Sequence, residues 1–166
     1  MIRQRASADL DACVGLLRTV HDRDGYPVDW PGRPAEWLTP PSLLAAWVAE
    51  TDGRIAGHVC LARSGTGDLA PALWSWRARV PVERTAVVGR LFASPAARGL
   101  GLGARLLARA ACEARERGLH PVLDVLAHDT AAVALYEREG WSLLDTVDQR
   151  WSANRTVTVH CFAAPV

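Results

Sequence analysis

The chain has 166 residues, of which 49% are hydrophobic and 22% charged, and its formal net charge is +1 at pH 7. This length predicts one compact domain, and the weak charge excludes the basic surface typical of a nucleic-acid binder. All 19 residues counted as Lys+Arg are arginines. The absence of lysine excludes Walker-type phosphate loops, pyridoxal phosphate enzymes and lysine nucleophiles.

The four cysteines lie at scattered positions without a C-x-x-C spacing: Cys13, Cys60, Cys112 and Cys161. This pattern predicts free, mostly buried thiols and no metal site. The first residues lack the apolar region of a secretion signal, and no apolar run approaches the roughly 20 residues of a membrane span. We therefore expect a cytoplasmic protein with neither membrane nor nucleic acid as a partner.

The first half of the chain predicts one helix among short strands. In chain order the elements are a strand over 2–5, a helix capped by Ser7 or Asp9 and ending near His21, an ordered and partly helical loop over 22–41, and strands over 45–51 and 54–63. Asp52-Gly53 between the last two is a strong turn signal, so these two strands should form a hairpin.

The second half alternates strands with helices. The predicted elements are a short helix capped by Asp68, a central strand over 85–93, a helix over 103–117, a strand over 121–126, a helix capped by Asp129 and ending at Gly140, and a hairpin over 141–151 and 155–162. The strand–helix–strand around Gly103 requires a parallel pair. The fold class is therefore α/β, with a mixed central sheet of about six or seven strands flanked by helices.

A glycine-rich segment separates the central strand from the most amphipathic helix. Its residues are Arg98, Gly99, Leu100, Gly101, Leu102, Gly103 and Ala104. Alternate glycines let backbone N–H groups converge at the positive end of a helix, which is suited to a phosphate or pyrophosphate. A tight turn without a ligand is the alternative. A dinucleotide fingerprint with Asp124 on the ribose also fits the spacing, but Pro95 and several further residues intervene between strand and first glycine.

Two spaced motifs make the chain similar to one family. Arg98-Gly99-Leu100-Gly101-Leu102-Gly103 resembles the R/Q-x-x-G-x-G/A motif of the GCN5-related N-acetyltransferase (GNAT) family, and Leu91–Pro95 resembles its central strand and bulge. The segment from Asp129 through Ala132, Leu135 and Tyr136 to Gly140-Trp141 resembles its N-x-x-A-x-x-L-Y-x-x-x-G-F segment. The resemblance covers residues 86 to 141. It implies a single-domain GNAT-like acyl-CoA N-acyltransferase fold over residues 1–166.

The resemblance also implies a role for each matched residue. The coenzyme-binding strand residues are Leu91, Phe92 and Ala93, with the backbone of Leu91 and Ala93 pairing with the pantetheine arm. Residues 98–104 would hold the coenzyme A pyrophosphate, and Tyr136 would protonate the departing thiolate. Asp129 stands where the family usually has Asn, at a polar contact to the pantetheine arm. The co-substrate implied is acetyl-CoA, without a metal.

The implied activity is acetyl transfer to a primary amine by direct attack in a ternary complex. Such a reaction needs a neutral amine, a donor for the oxyanion and a proton for sulfur. The N–H of Ala93 and the hydroxyl of Tyr136 can supply the last two, although Tyr136 also fits an ordinary core tyrosine. The alternative function is a non-catalytic acyl-CoA sensor or interaction module with the same fold. A nicotinamide-dependent oxidoreductase is a third.

The general base stays open. The outward positions of the central strand cannot accept a proton: they are Val88, Arg90 and Phe92. Four residues elsewhere are candidates, each with a structural role as the alternative: Glu83, Asp124, His58 and His128. A water molecule is the remaining choice.

The loop after the first helix is expected to meet the acceptor, a small-molecule or peptide amine. It interleaves acidic and aromatic residues: Asp22, Asp24, Asp29 and Glu36 with Tyr26, Trp30 and Trp37. These side chains can attract a cationic amine and stack on it. Alternatively, the tryptophans only hold a long loop to the core. Trp74 and Trp76 cover apolar surface or mark a homodimer contact.

Overall fold

The computed structural model of the protein describes all 166 residues. Seven strands are present: β1 Ile2–Gln4, β2 Leu43–Thr51, β3 Arg54–Arg63, β4 Thr85–Ala93, β5 His120–Leu126, β6 Ser142–Ser152 and β7 Arg155–Ala163. Five α-helices accompany them: α1 Leu10–Asp24, α2 Pro34–Trp37, α3 Ala70–Ala78, α4 Leu102–Glu116 and α5 Thr130–Arg138. The strands form one sheet in the order β1-β2-β3-β4-β5-β7-β6. The β4–β5 pair is parallel, whereas β1–β2, β2–β3, β5–β7 and β6–β7 are antiparallel, which confirms the α/β class with a mixed sheet.

The first compact unit comprises residues Met1–Ala62 and Val88–Cys112. Its β2–β3 hairpin turns at Asp52 and Gly53, whose φ angles of 53° and 74° give the turn the twist that antiparallel strands need. Helix α1 runs past the predicted end near His21 because the left-handed residue that terminates it is Gly25. Its core cluster consists of Cys13, Leu17, Val20, Leu38, Val48 and Phe92.

Helix α4 lies very close to strand β3 in this unit. A Cβ atom on Gly57 would stand 2.8 Å from the Leu106 Cδ1 atom and 3.4 Å from the carbonyl oxygen of Phe92. No side chain fits at that distance without a shift of its neighbours. The glycine therefore allows the helix that follows the glycine-rich segment to lie directly on the sheet.

The second compact unit comprises residues Arg63–Val87 and Glu113–Val166. Its last strand, β7, lies between β5 and β6, with Asp124 opposite Cys161 on one side and Asp145 opposite Cys161 on the other. The predicted β6–β7 hairpin is confirmed. Only the tertiary structure shows that β7, and not β6, lies next to β5. Its core cluster consists of Ala70, Val122, Leu144, Val159, Cys161 and Ala163.

One predicted cap is wrong. Asp68 does not cap α3: its Oδ2 accepts from the Gly65 N–H at 2.7 Å, and the helix begins two residues later at Ala70. All four cysteines are free thiols, and only Cys112 is exposed. No helix is both long and apolar enough to cross a membrane. The single domain over residues 1–166 stays a prediction.

Candidate active site

The segment between β4 and α4 is a chain of tight turns. Ser94 caps a 3₁₀ helix over Pro95–Ala97, its Oγ accepting from the Ala96 N–H at 3.3 Å. Gly99 and Gly101 then adopt φ angles of 86° and 70°, where other residues are strained. A Cβ atom at either glycine would meet no heavy atom within 4 Å. These glycines are therefore required for backbone conformation, and the space beside them is open.

Successive backbone N–H groups in this segment are left without an acceptor. The first helical bond of α4 runs from the Arg105 N–H to the Gly101 carbonyl at 3.1 Å, and no carbonyl accepts from the N–H groups of residues 99–104. The first turn of α4 contains no acidic side chain. Such a run of donors at the positive end of a 15-residue helix is suited to an anion with several oxygens.

Arg98 lies beside this segment, as its sequence position predicts, but it has an intramolecular partner. Its Nη2 forms an ion pair with Asp24 Oδ2 at the last residue of α1. The side chain is still 58% exposed, so its remaining donors are accessible. Sequence spacing gave no signal for this pair, which holds the arginine near the loop and neutralises one of the carboxylates predicted to face the acceptor.

Strand β4 changes conformation before its last three residues. Arg90 has a φ angle of 53°, a left-handed conformation inside the strand that interrupts its extended backbone and is called the bulge below. The sequence motif places the bulge within Leu91–Pro95, directly after this residue. The β4–β5 ladder pairs Thr85–Val87 with His120–Val122. Leu91 and Ala93 are half-buried, whereas the Phe92 ring is buried in the core. The left-handed Arg90 therefore lies directly before the backbone groups predicted to meet the coenzyme.

His58 is fully buried and holds the bulge. Its Nδ1 donates to the Arg90 carbonyl oxygen at 2.9 Å, and its Nε2 accepts from Arg5 Nη1 at 2.8 Å. Its ring also stacks on Phe92, with centroids 5.1 Å apart. Burial lowers the pKa of His58 to about 4. Both ring nitrogens are engaged and the imidazole is neutral, so His58 is a structural residue rather than the general base.

Asp124 is also engaged by backbone donors. Its Oδ2 accepts from the Leu69 N–H at 2.7 Å and its Oδ1 from the Ala70 N–H at 2.8 Å. This half-buried carboxylate on β5 therefore caps α3 in place of Asp68. A negative charge at a helix N-terminus and two short bonds to N–H groups both stabilise the start of α3, which is a structural role.

Replacing Asp124 with alanine is expected to lower the free energy of unfolding by about 1–2 kcal/mol, because two N–H groups at the start of α3 lose their acceptor. Asp68→Ala is the matched control, because this nearby carboxylate accepts from the Gly65 N–H and the start of α3 is bonded to Asp124 instead. Urea unfolding of both variants gives the comparison. A larger loss from the Asp68 variant would contradict the assignment of the cap.

Two base candidates keep exposed side chains. Glu83 lies in the 3₁₀ helix Val82–Arg84, and His128 lies in the turn between β5 and α5. Neither side chain has a hydrogen bond in the structure, so both are accessible to water. The predicted outward positions on β4 are unsuited to proton transfer here too, because Val88 and Phe92 are buried at 3% and 5% exposure.

Tyr136 and Asp129 belong to the second unit. Tyr136 on α5 is 7% exposed, with its ring centroid 5.8 Å from that of Phe162 and 6.2 Å from that of Trp141. Asp129 Oδ1 accepts from the Ala132 N–H at 3.3 Å, which confirms the predicted cap of α5. Helix capping and ring packing therefore hold the tyrosine in one place.

The predicted acceptor loop is attached to the core by its aromatic rings. Tyr26, Trp30 and Trp37 all pack against the core cluster of the first unit. The guanidinium groups of Arg18 and Arg90 lie over Trp30 and Trp37, at 4.1 Å and 3.9 Å from the ring centroids. This arrangement supports the structural role of the tryptophans. No group of three or more His, Cys, Asp or Glu side chains is placed to hold a metal ion.

Comparisons with known proteins agree on one family. The model of the acetyltransferase (GNAT) family matches residues 15–141, whereas no curated protein matches the chain. A protein from Salmonella typhimurium assigned as an acetyltransferase, with its cofactor acetyl-CoA, is 20% identical, with 98% of this chain and 91% of that chain covered and a TM-score of 0.70.

Two further solved structures are equally similar. The ribosomal-protein-S18-alanine N-acetyltransferase of Escherichia coli is 18% identical, with 100% of this chain and 93% of that chain covered and a TM-score of 0.71. The ribosomal-protein-alanine N-acetyltransferase of Brucella melitensis is 22% identical, with 100% and 99% covered and a TM-score of 0.72. These structures establish the fold. Since the family model spans most of the chain, the protein belongs to the GNAT family of acetyltransferases.

Proposed function

We propose that the protein is an acetyl-CoA-dependent N-acetyltransferase that transfers an acetyl group to the primary amine of a small molecule or peptide. The observation that carries the proposal is the run of N–H groups over residues 99–104 without an acceptor, at the positive end of α4 and beside Arg98. A pyrophosphate has the charge and the number of oxygens that such a run of donors binds.

The coenzyme would be held by residues 98–104 at its pyrophosphate and by the strand residues Leu91, Phe92 and Ala93 along its pantetheine arm. The left-handed conformation of Arg90 supports this, since it interrupts the extended backbone directly before these strand residues. Asp129 is engaged as the cap of α5. Its Oδ2 makes no hydrogen bond within the chain, and we propose that this atom contacts the pantetheine arm.

The chemistry needs three groups besides the coenzyme. The neutral amine nitrogen attacks the thioester carbonyl, the carbon–sulfur bond breaks, and the amine loses a proton. We propose that the Ala93 N–H stabilises the oxyanion and that Tyr136 gives its proton to the leaving sulfur. Glu83, His128 or a water molecule would take the proton of the amine, since the other two candidate bases, His58 and Asp124, have structural partners.

The proposed coenzyme site is tested by Gly101→Val, which should weaken acetyl-CoA binding at least about tenfold by calorimetry. A β-branched residue is strained at a φ of 70° and fills the open space beside the N–H groups. Gly118→Val is the matched control: its φ is 73° and its surroundings are equally open, but it follows the other end of α4. Equal loss in both variants would show that strain alone, and not the anion site, is responsible.

Catalysis is tested separately with the wild-type protein. Acetyl-CoA, coenzyme A and NAD are compared by thermal shift, and a panel of primary amines is then screened for release of free thiol. Coenzyme binding with thiol release on an amine supports the transferase. Coenzyme binding without turnover on any amine favours the alternative, a non-catalytic acyl-CoA sensor. Stabilisation by NAD but not by coenzyme A would overturn the proposal.

A further inference from the structure

Arg90 occupies an unusual position at the bulge of β4. Its backbone is left-handed, a conformation that is strained for a residue with a side chain. Its guanidinium carbon lies 3.9 Å from the centroid of the Trp37 ring, and its Nε donates to the Trp37 carbonyl oxygen at 3.3 Å. Trp37 is the last residue of α2 and belongs to the loop predicted to meet the acceptor. The side chain is thus fixed in orientation against that loop.

The terminal nitrogens of Arg90 have no partner in the chain. They form no ion pair, and the Nε bond to Trp37 is the side chain's only hydrogen bond. No buried side-chain nitrogen or oxygen lacks a hydrogen bond, so the two terminal nitrogens of this half-buried residue reach accessible space. Arg90 therefore presents a cation with unused donors.

Neighbouring arginines of the same unit differ in this respect. Arg5 donates to the Leu38 carbonyl, the Thr39 hydroxyl and His58, while Arg98 and Arg33 are paired with Asp24 and Glu36. These pairs also occupy two of the four carboxylates of the loop. Arg18 and Arg90 both lie over tryptophan rings of the loop without an ion pair, and Arg90 is the one that a hydrogen bond also fixes to the loop.

The stacking on Trp37 decides which ligand atoms Arg90 can bind. A guanidinium that lies with its face on a ring keeps its in-plane N–H donors free at the edge. Two parallel N–H groups match the two oxygens of a carboxylate, and such a charge-assisted pair is stronger than a neutral hydrogen bond. An amine without an anionic group would leave this cation unpaired.

We propose that Arg90 binds a carboxylate of the acceptor, so that the acceptor is an amino acid or a similar small molecule with a primary amine and a carboxylate. This inference rests on the proposed N-acetyltransferase function and names its substrate class. It assigns Arg90 as a specificity-determining residue. It gives the acidic residues of the loop no part in attracting the acceptor.

The test compares standard amino acids with their α-carboxamides, which keep the side chain and the amine but lack the negative charge. Thiol release from acetyl-CoA is measured for the wild-type protein, Arg90→Gln and Arg90→Lys. The two amine classes differ in intrinsic reactivity. Each variant is therefore compared with the wild type on the same amine, which cancels that difference.

We expect Arg90→Gln to raise KM for the amino acid at least about tenfold while kcat changes little, and to leave KM for the carboxamide unchanged. The KM of Arg90→Lys for the amino acid should lie between those of the wild type and Arg90→Gln, because lysine keeps the charge but not the paired donors. Acetyl-CoA affinity of both variants should equal that of the wild type, and both should melt at a somewhat lower temperature because they lose the Nε bond to the Trp37 carbonyl oxygen.

Three outcomes overturn the inference: an equal effect of Arg90→Gln on both amine classes, turnover of carboxamides alone, or turnover of amino-terminal peptide amines alone. In each of these the proposed transferase stands, since thiol release depends on an amine. Absence of thiol release with every amine overturns the transferase and the inference together.

Discussion

Replacing Tyr136 with phenylalanine is expected to lower kcat by about 100- to 10,000-fold, the usual contribution of a positioned general acid. The affinity for acetyl-CoA should not change, because the variant removes a single hydroxyl. Phenylalanine keeps the ring contacts with Phe162 and Trp141, so the fold of α5 should be retained. Steady-state thiol release on an accepted amine, together with calorimetric acetyl-CoA binding, measures both quantities.

The chain contains its own control for this experiment. It has two tyrosines, and the second, Tyr26, packs beside Trp37 and Phe92 in the first unit. Tyr26→Phe removes the same hydroxyl from a residue to which no acid role is given, and kcat should stay within about threefold of the wild type. A Tyr136→Phe protein with full activity would show that Tyr136 is an ordinary core residue.

The second large effect concerns stability against pH. Burial lowers the pKa of His58 from 6.5 to about 4, so the folded protein keeps this imidazole neutral where the unfolded chain protonates it. The unfolded state therefore binds more protons between these pH values, and stability falls as the pH falls. The difference between the two pKa values corresponds to about 3 kcal/mol, which is present above pH 6.5 and lost by pH 4.

His58→Gln separates this contribution from that of the carboxylates. Glutamine does not titrate, so the difference in the free energy of unfolding between wild type and variant should shrink by about 3 kcal/mol from pH 7 to pH 4. His128→Gln, at an exposed histidine, is the control for the substitution itself. Urea unfolding at several pH values gives the curves. A constant difference for His58→Gln would mean that the folded protein protonates His58 as readily as the unfolded chain.

The proposed coenzyme segment was largely predictable because its determinants are local. Alternate glycines before an amphipathic helix require left-handed backbone, and Gly99 and Gly101 adopt it. The cap of α5 by Asp129 likewise depends on residues three positions apart. The cap of α3 shows the limit of such reasoning. Asp68 lies next to the start of this helix in the sequence, but the carboxylate that accepts from its first N–H groups is that of the distant Asp124.

Local sequence patterns did not show which of the acid and base candidates have free side chains and which are bonded to other residues. A histidine on a strand has the same sequence pattern whether its nitrogens are free or bonded, and only the position of Arg5 and of the Arg90 carbonyl shows that His58 is engaged. The acidic loop is a similar case. Its carboxylates suggest a cationic ligand until Asp24 and Glu36 are found with arginine partners.

The amino-acid sequence alone determined the succession of strands and helices along the chain, the hairpin turns, the proposed anion-binding segment and the family resemblance. Hydrophobic periodicity and glycine conformation act over a few residues, so a local pattern is enough to predict them. The roles of individual charged side chains come from the tertiary structure. Asp124 meets Leu69 across 55 positions, Arg98 meets Asp24 across 74, and His58 meets Arg90 across 32. Which distant groups become neighbours depends on how the strands are ordered in the sheet, and no local pattern in the chain encodes that order.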